Sequence, residues 1–183
     1  MVKAIVLLSG GLDSTVVLAS AIANQRICYT LSFNYGQKHQ QELIAAKNIA
    51  DHYHVSNQII SIDPNIFSTS SLISSQSVPK ALHSFDLIDQ TIPTTYVPGR
   101  NTLFLSYALS FCEFYEADEI HFGPNVADTT SNYPDCKPNY IKAFQNLMNL
   151  ATKQAVEGSP LQLMTPLLKL NKKEIIQLGL QSG

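Results

Sequence analysis

Apolar and polar positions change period repeatedly along this chain. Ala4 to Leu8 is a continuous apolar run, the pattern of a strand buried on both faces. Ser14 to Asn24 reads as a helix and Cys28 to Asn34 as a second strand. From Gln40 to Tyr53, the residues Leu43, Ala46, Ile49, Ala50 and Tyr53 return to one helical face. Gln58 to Ile62 predicts a short third strand. Asn101 to Tyr115 predicts a helix whose stripe of Leu103, Phe104, Tyr107, Ala108 and Phe111 is widened by Leu105, Leu109 and Cys112. A helix so apolar is expected to be buried on most sides or to pack against a second subunit. Glu119 to Gly123 is strand-like, Tyr140 to Val156 helical, and Leu161 to Met164 a last short strand. Asn171 and Glu174 have the spacing of a capping box that opens a final helix. Strands alternating with helices predict an α/β fold, a doubly wound and mostly parallel sheet in one domain over residues 1–183. Residues 63–95 break the pattern with a run rich in serine and threonine, either a functional loop or a surface insertion.

Composition narrows the classes. The 183 residues are 45% hydrophobic and 14% charged, a globular balance long enough for a proper core. Lys and Arg total 12 against 14 Asp and Glu, a net charge of −2, so the basic excess of a nucleic-acid-binding surface is absent. No signal peptide and no bilayer-spanning stretch is read, so no membrane partner is expected. Cys28, Cys112 and Cys136 are odd in number and form no CxxC pair, which points to a reducing cytoplasm rather than a disulfide framework.

The first candidate for chemistry follows the first strand. Open α/β sheets bind ligands beyond the carboxyl ends of their strands, and Ser9-Gly10-Gly11-Leu12-Asp13-Ser14-Thr15 sits at such an end and opens a helix. Glycines let backbone approach an oxyanion, and the helix N-terminus favours negative charge there. Ser9, Ser14 and Thr15 add hydroxyl donors. Asp13 would repel phosphate directly and suits Mg²⁺ or a capping role. GxGxxG is absent, and no Lys stands where a Walker A motif needs one, so a pyrophosphate leaving group fits better than γ-phosphoryl transfer. An ordinary Gly-Gly turn is the plain alternative.

The string SGGLDS resembles the signature of the N-type ATP pyrophosphatases, which adenylate their substrates. Three more segments sharpen the likeness: Phe33-Asn34-Tyr35-Gly36-Gln37-Lys38-His39, Val97-Pro98-Gly99-Arg100-Asn101 and Tyr133-Pro134-Asp135-Cys136-Lys137-Pro138. Together, in this order, they resemble the FNYGQ(K/R)H, VPGRN and YPDCRP motifs of the 7-cyano-7-deazaguanine synthase family, also called QueC. The resemblance implies an adenine nucleotide alpha hydrolase-like fold and a ligase that turns 7-carboxy-7-deazaguanine and ammonia into the nitrile with ATP and Mg²⁺. It implies ATP binding along Leu8, Ser9, Gly10, Gly11, Leu12, Asp13, Ser14, Thr15, Val16, Val17 and Leu18. The family also tends to dimerise, which would put the helix from Asn101 to Tyr115 at or beneath a homodimer interface.

Within this frame, Asp13, Lys38 and Arg100 are the candidate catalytic groups, and Arg100, Asn101, Asp128, Tyr133 and Asp135 the candidate substrate contacts. Each has a plainer reading. Lys38 can be a solvated charge, Asn101 a helix cap and Asp135 a turn residue. His39 and His121 are possible bases, His121 more naturally a structural histidine in an apolar strand. Cys136 reads as an inert thiol unless its environment activates it. Between Asp128 and Tyr133 the chain is one residue longer than the family pattern. The chain ends at Gly183, before the cysteine-rich segment that binds zinc in the family, so a truncated chain without stoichiometric zinc is expected. Two other readings remain open at this point: another enzyme with the same loop, such as a tRNA thiolase, or a non-catalytic adenosine-nucleotide binding module.

Overall fold

Successive residues of the first strand point into two different cores. The computed structural model describes residues 1–36, 41–67, 92, 96–126 and 133–183. Its strands are β1 (Lys3–Leu7), β2 (Ile27–Asn34), β3 (Ser56–Ser61), β4 (Glu119–His121) and β5 (Gln162–Met164). Its helices are α1 (Leu12–Ala23), α2 (Gln41–His52), α3 (Arg100–Tyr115), α4 (Pro138–Ala151), the one-turn α5 (Lys153–Val156) and α6 (Lys172–Ser182). Ala4, Val6 and Leu8 join Val17, Leu18, Ala46, Leu167 and Ile175 under α1, α2 and α6. Ile5 and Leu7 join Leu31, Leu105, Ala108, Ile120, Phe144 and Met148 under α3 and α4. The two-residue period of a strand therefore feeds both faces of the sheet. Each fully buried Leu or Ile contributes about 1.5–3 kcal/mol to that arrangement.

All four strand pairings are parallel and the sheet order is β3-β2-β1-β4-β5. The chain winds outward from β1 to β3, then crosses back to lay β4 on the other side of β1. The order thus reverses between β1 and β4, and a crevice opens there beyond the strand ends. The expected doubly wound parallel sheet is formed, and the capping box at Asn171 is present in full: Glu174 N–H donates to Asn171 Oδ1 at 3.1 Å, and Asn171 N–H to Glu174 Oε2 at 2.7 Å.

Most boundaries fall within two residues of expectation, and three differences have a visible cause. Residues 140–156 are not one helix, because Thr152 is extended and separates α4 from α5. Thr152 Oγ1 donates back to Met148 O at 2.8 Å, and Glu113 Oε1 accepts from Lys153 N–H to start the next turn. β4 stops at His121 rather than Gly123, close to Pro124, which has no N–H for the ladder. α3 starts at Arg100 with Gly99 in the cap position, so Asn101 is its second residue and not its cap. Among the described residues, no helix is long and apolar enough to cross a membrane.

Candidate active site

The loop after β1 is held open by its own side chains. Gly11 N–H donates to Ser9 Oγ at 3.3 Å, and Ser14 Oγ donates to Gly11 O at 2.9 Å. Ser14 then has no proton left, so the 3.0 Å contact between the two serine hydroxyls runs from Ser9 to Ser14. Thr15 Oγ1 also donates to Gly11 O at 2.9 Å. The hydroxyls expected to face phosphate are therefore spent on loop shape in this state. What the loop presents instead is backbone: α1 begins after Gly11 with no side-chain cap, leaving its first N–H groups directed outward.

The two glycines do different work. Gly10 has φ +86°, and a Cβ there would collide with Glu42 O and lie 2.8 Å from Ala46 N of α2. Gly11 has φ −83°, and its nearest neighbour to a Cβ is Ser9 Oγ at 3.5 Å. Gly10 is required by packing; Gly11 borders open space that a ligand can occupy.

That space is a cavity of about 590 Å³ at the β1/β4 switch. Leu8, Ser9, Gly11, Leu12, Asp13 and Ser14 line one side. Of the expected nucleotide run, Val16, Val17 and Leu18 are at most 3% exposed and belong to the core. Gly123 and Asn125 follow β4 on the floor, with Asn125 Nδ2 bound to Leu170 O at 2.9 Å. The far wall is aromatic. Phe33 and Phe104 stack at 4.0 Å with planes 5° apart, Tyr35 lies 5.5 Å from Phe104, and Tyr133 stands nearby, 6.4 Å from Tyr96.

Arg100 reaches into this cavity from the first turn of α3. Its guanidinium carbon is 5.9 Å from the Tyr35 ring centre and 6.0 Å from that of Phe104, and Nη1 donates to the Tyr35 hydroxyl at 3.4 Å. Its buried Nε has no protein partner. An unpaired donor on a permanent cation, across the cavity from an uncapped helix N-terminus, fits a carboxylate or phosphate. Asp13 is a carboxylate that Mg²⁺ on a polyphosphate could use, and it too faces the cavity.

Two residues of the Tyr133–Pro138 segment are less available for chemistry than their sequence suggests. Cys136 lines the cavity, but burial pushes its thiol up to about 11, so it is protonated at neutral pH and a poor nucleophile. Asp135 stands behind the wall: it is 6% exposed, lies outside the cavity lining, and its Oδ2 accepts Asn101 N–H at 3.3 Å. His121 lies away from the cavity, bonded through Nε2 to Glu119 Oε2 at 2.7 Å. Lys38, His39 and Asp128 fall outside the described residues. Cys28, Cys112 and Cys136 are buried in different places, and among the described residues no three His, Cys, Asp or Glu side chains meet as a metal site. The described residues therefore offer no zinc ligand set, and no step is assigned to zinc.

Two charged residues not singled out in the sequence also face the cavity. Glu42 opens α2 beside Gly10, and Lys172 opens α6. Lys172 Nζ donates to Asp13 Oδ1 at 2.7 Å. A signal for Lys172 existed: a helix that follows a parallel strand starts at the carboxyl edge of the sheet, so its first residues face the same crevice as the glycine loop after β1.

Comparison with known proteins agrees with this geometry. The family model described as "Queuosine biosynthesis protein QueC" matches residues 3–183. A 7-cyano-7-deazaguanine synthase of Saccharophagus degradans is 48% identical over 183 residues, covering 99% of this chain and 78% of the relative. A solved 4-thiouridine synthetase–RNA complex with bound ATP superposes with TM-score 0.59 at 17% identity, covering 99% of this chain and 40% of that one. The NH3-dependent NAD synthetase of Campylobacter jejuni superposes with TM-score 0.53 at 16% identity, covering 98% and 63%. The two structures share the fold, and the sequence relationship goes further: this chain belongs to the QueC family of queuosine biosynthesis, the 7-cyano-7-deazaguanine synthases.

Proposed function

We infer that this chain converts 7-carboxy-7-deazaguanine and ammonia into 7-cyano-7-deazaguanine at the expense of ATP. The observation that carries the reading is one cavity with a glycine loop and helix N-terminus on one side and Arg100 set in an aromatic wall on the other. A carboxylate is a poor electrophile because oxide is a poor leaving group. Attack of a carboxylate oxygen on the α-phosphorus of ATP releases pyrophosphate and leaves an acyl adenylate. Ammonia adds to the acyl carbon, loses a proton and expels AMP to give the amide. The amide oxygen then attacks a second ATP at the same phosphorus. Loss of the nitrogen-bound protons and departure of AMP leave the nitrile.

The chain's own groups support each demand. The free N–H groups at the start of α1 and the Lys172 ammonium suit the pyrophosphate. Mg²⁺ on Asp13 would supply charge neutralisation as pyrophosphate leaves. Arg100 suits the reacting carboxylate or the α-phosphate, and an oxyanion held there is stabilised as charge develops. Tyr133, Phe33 and Tyr35 offer flat apolar surface for a deazapurine ring. Lys38 and Asp128 are kept as candidate contacts on their motif positions alone. No protein nucleophile is required, in keeping with the raised Cys136 thiol.

Free cysteines support a reducing cytoplasm. A homodimer is the assembly we favour, because the outer ends of α3 and α4 expose Phe114 at 77% and Leu150 at 82%. Mass spectrometry after incubation with ATP, ammonia and the carboxy-deazaguanine tests the reading. The nitrile should appear together with AMP and pyrophosphate; ADP and phosphate alone would reject the adenylation route.

A further inference from the structure

The first turn of α3 lacks a cap of its own. Gly99 holds the cap position with φ +66° and no side chain. A helix start leaves its first N–H groups without intrahelical partners, and in a buried setting they need outside acceptors. Asp135, 34 residues further along, supplies one through Oδ2 to Asn101 N–H at 3.3 Å. Asn101 answers through Nδ2, which reaches Asp135 O and Cys136 Sγ, both at 3.5 Å. Asn101 and Asp135 are 5% and 6% exposed. The two motifs are thus latched at a buried point directly beside Arg100.

We propose that Asp135 is a positioning residue, a helix cap supplied from another segment that sets the direction of the first turn of α3 and so aims Arg100 into the cavity. Three observations separate this role from direct reading of the substrate ring. The carboxylate is outside the cavity lining, Tyr133 and Cys136 stand in the wall instead, and one oxygen is already committed to α3. The carboxylate also lies at the positive end of the helix dipole, where a negative group is favoured. Burial pushes its pKa above the ordinary range, and the Asn101 N–H and the Arg100 charge act against that rise. The proposal rests on the functional reading above only for the identity of the anion that Arg100 meets.

The test compares Asp135→Asn with Asp135→Ala, each with Arg100 intact and in an Arg100→Ala background. Asparagine keeps a carbonyl oxygen that can accept Asn101 N–H, but it cannot accept two N–H groups from a guanine-like edge. AMP release gives kcat and KM for the carboxy-deazaguanine, and hydrogen exchange reports Asn101 N–H without any substrate. Asp135→Asn should keep kcat/KM within about threefold, while Asp135→Ala loses about tenfold or more. That loss should shrink when Arg100 is already absent, and exchange at Asn101 should speed up in Asp135→Ala alone. Equal losses in Asp135→Asn and Asp135→Ala would overturn the proposal, as would an alanine loss undiminished without Arg100. If Asp135→Ala does not fold, Asp135→Asn against the parent chain still decides, since direct ring reading requires it to fail. If the parent chain releases no AMP with this substrate, the functional reading fails on its own; unchanged exchange at Asn101 in Asp135→Ala would then separately remove the cap.

Discussion

Lys172 Nζ lies 2.7 Å from Asp13 Oδ1, joining the first turns of α6 and α1 across 159 residues of chain. A cation in the first turn of a helix opposes the helix dipole, so its position calls for a partner. Asp13 is that partner here, and an ATP polyphosphate would be a stronger one. The side chains are 62% and 33% exposed, so the ion pair itself is a small stabilising contact of at most roughly 1 kcal/mol.

Replacing Lys172 with Ala should therefore leave the thermal midpoint nearly unchanged while weakening ATP binding about tenfold or more, the scale of one charge-assisted hydrogen bond. Calorimetric titration with a non-hydrolysable ATP analogue measures it. Undiminished affinity would remove Lys172 from the nucleotide site.

Gly10 and Gly11 should separate stability from binding. Gly10→Ala forces a side chain into positive φ and against Glu42 O, and should cost about 2 kcal/mol or more in urea unfolding. A Cβ at Gly11 meets nothing nearer than Ser9 Oγ at 3.5 Å, so Gly11→Val should lose less stability than Gly10→Ala, yet bind ATP poorly because the branched side chain borders the cavity. A Gly11→Val protein with parental affinity would show that the nucleotide does not approach this loop.

The sheet and its two cores were readable because their causes are local. The apolar run at Ala4–Leu8 demands burial on two sides, and Asn171 with Glu174 carries its capping geometry in four residues. The glycine turn that joins β1 to α1 was readable for the same reason. What escaped depends on residues far apart in the chain. Lys172 meets Asp13 only after β5 has been laid beside β4, and Asp135 caps α3 only after the segment at Pro134–Cys136 folds against it. Thr152 shows the converse: a break inside an apolar helical pattern, set by an extended backbone and a side chain bonded to Met148.

Oligomerisation should depend on the outer ends of α3 and α4. Lys153 N–H at the start of α5, just past α4, donates to Glu113 Oε1 of α3, and Phe114 and Leu150 are both exposed at these ends. Sedimentation at micromolar concentration should show a dimer. Phe114→Glu or Leu150→Glu should raise its dissociation constant roughly tenfold to hundredfold, since burying each side chain contributes about 1.5–3 kcal/mol. A monomeric parent protein would leave these side chains without an interface role.

Acid stability should turn on His121. Its Nε2 is 2.7 Å from Glu119 Oε2, and Glu119 also holds Arg26 through Nε and Nη2, both at 3.0 Å. A bond to a carboxylate requires the proton on Nε2, so the neutral ring presents Nδ1 as an acceptor, and that buried atom has no partner. Protonation would turn it into a buried N–H donor with nowhere to go. Burial accordingly lowers the His121 pKa from 6.5, and the Glu119 hydrogen bond and charge only partly oppose this. For Glu119, burial acts upward, but the Arg26 and His121 bonds prevail and hold it below 4.5. Both shifts have the same sign for stability. Below pH 6.5 the unfolded chain takes up a proton on histidine that the folded chain refuses, so unfolding becomes easier as pH falls; Glu119 adds a second loss below pH 4.5. The thermal midpoint should therefore drop between about pH 7 and pH 5, and His121→Gln, which can still donate to Glu119 without titrating, should flatten that slope. An equal slope in the two proteins would show that another group governs acid unfolding.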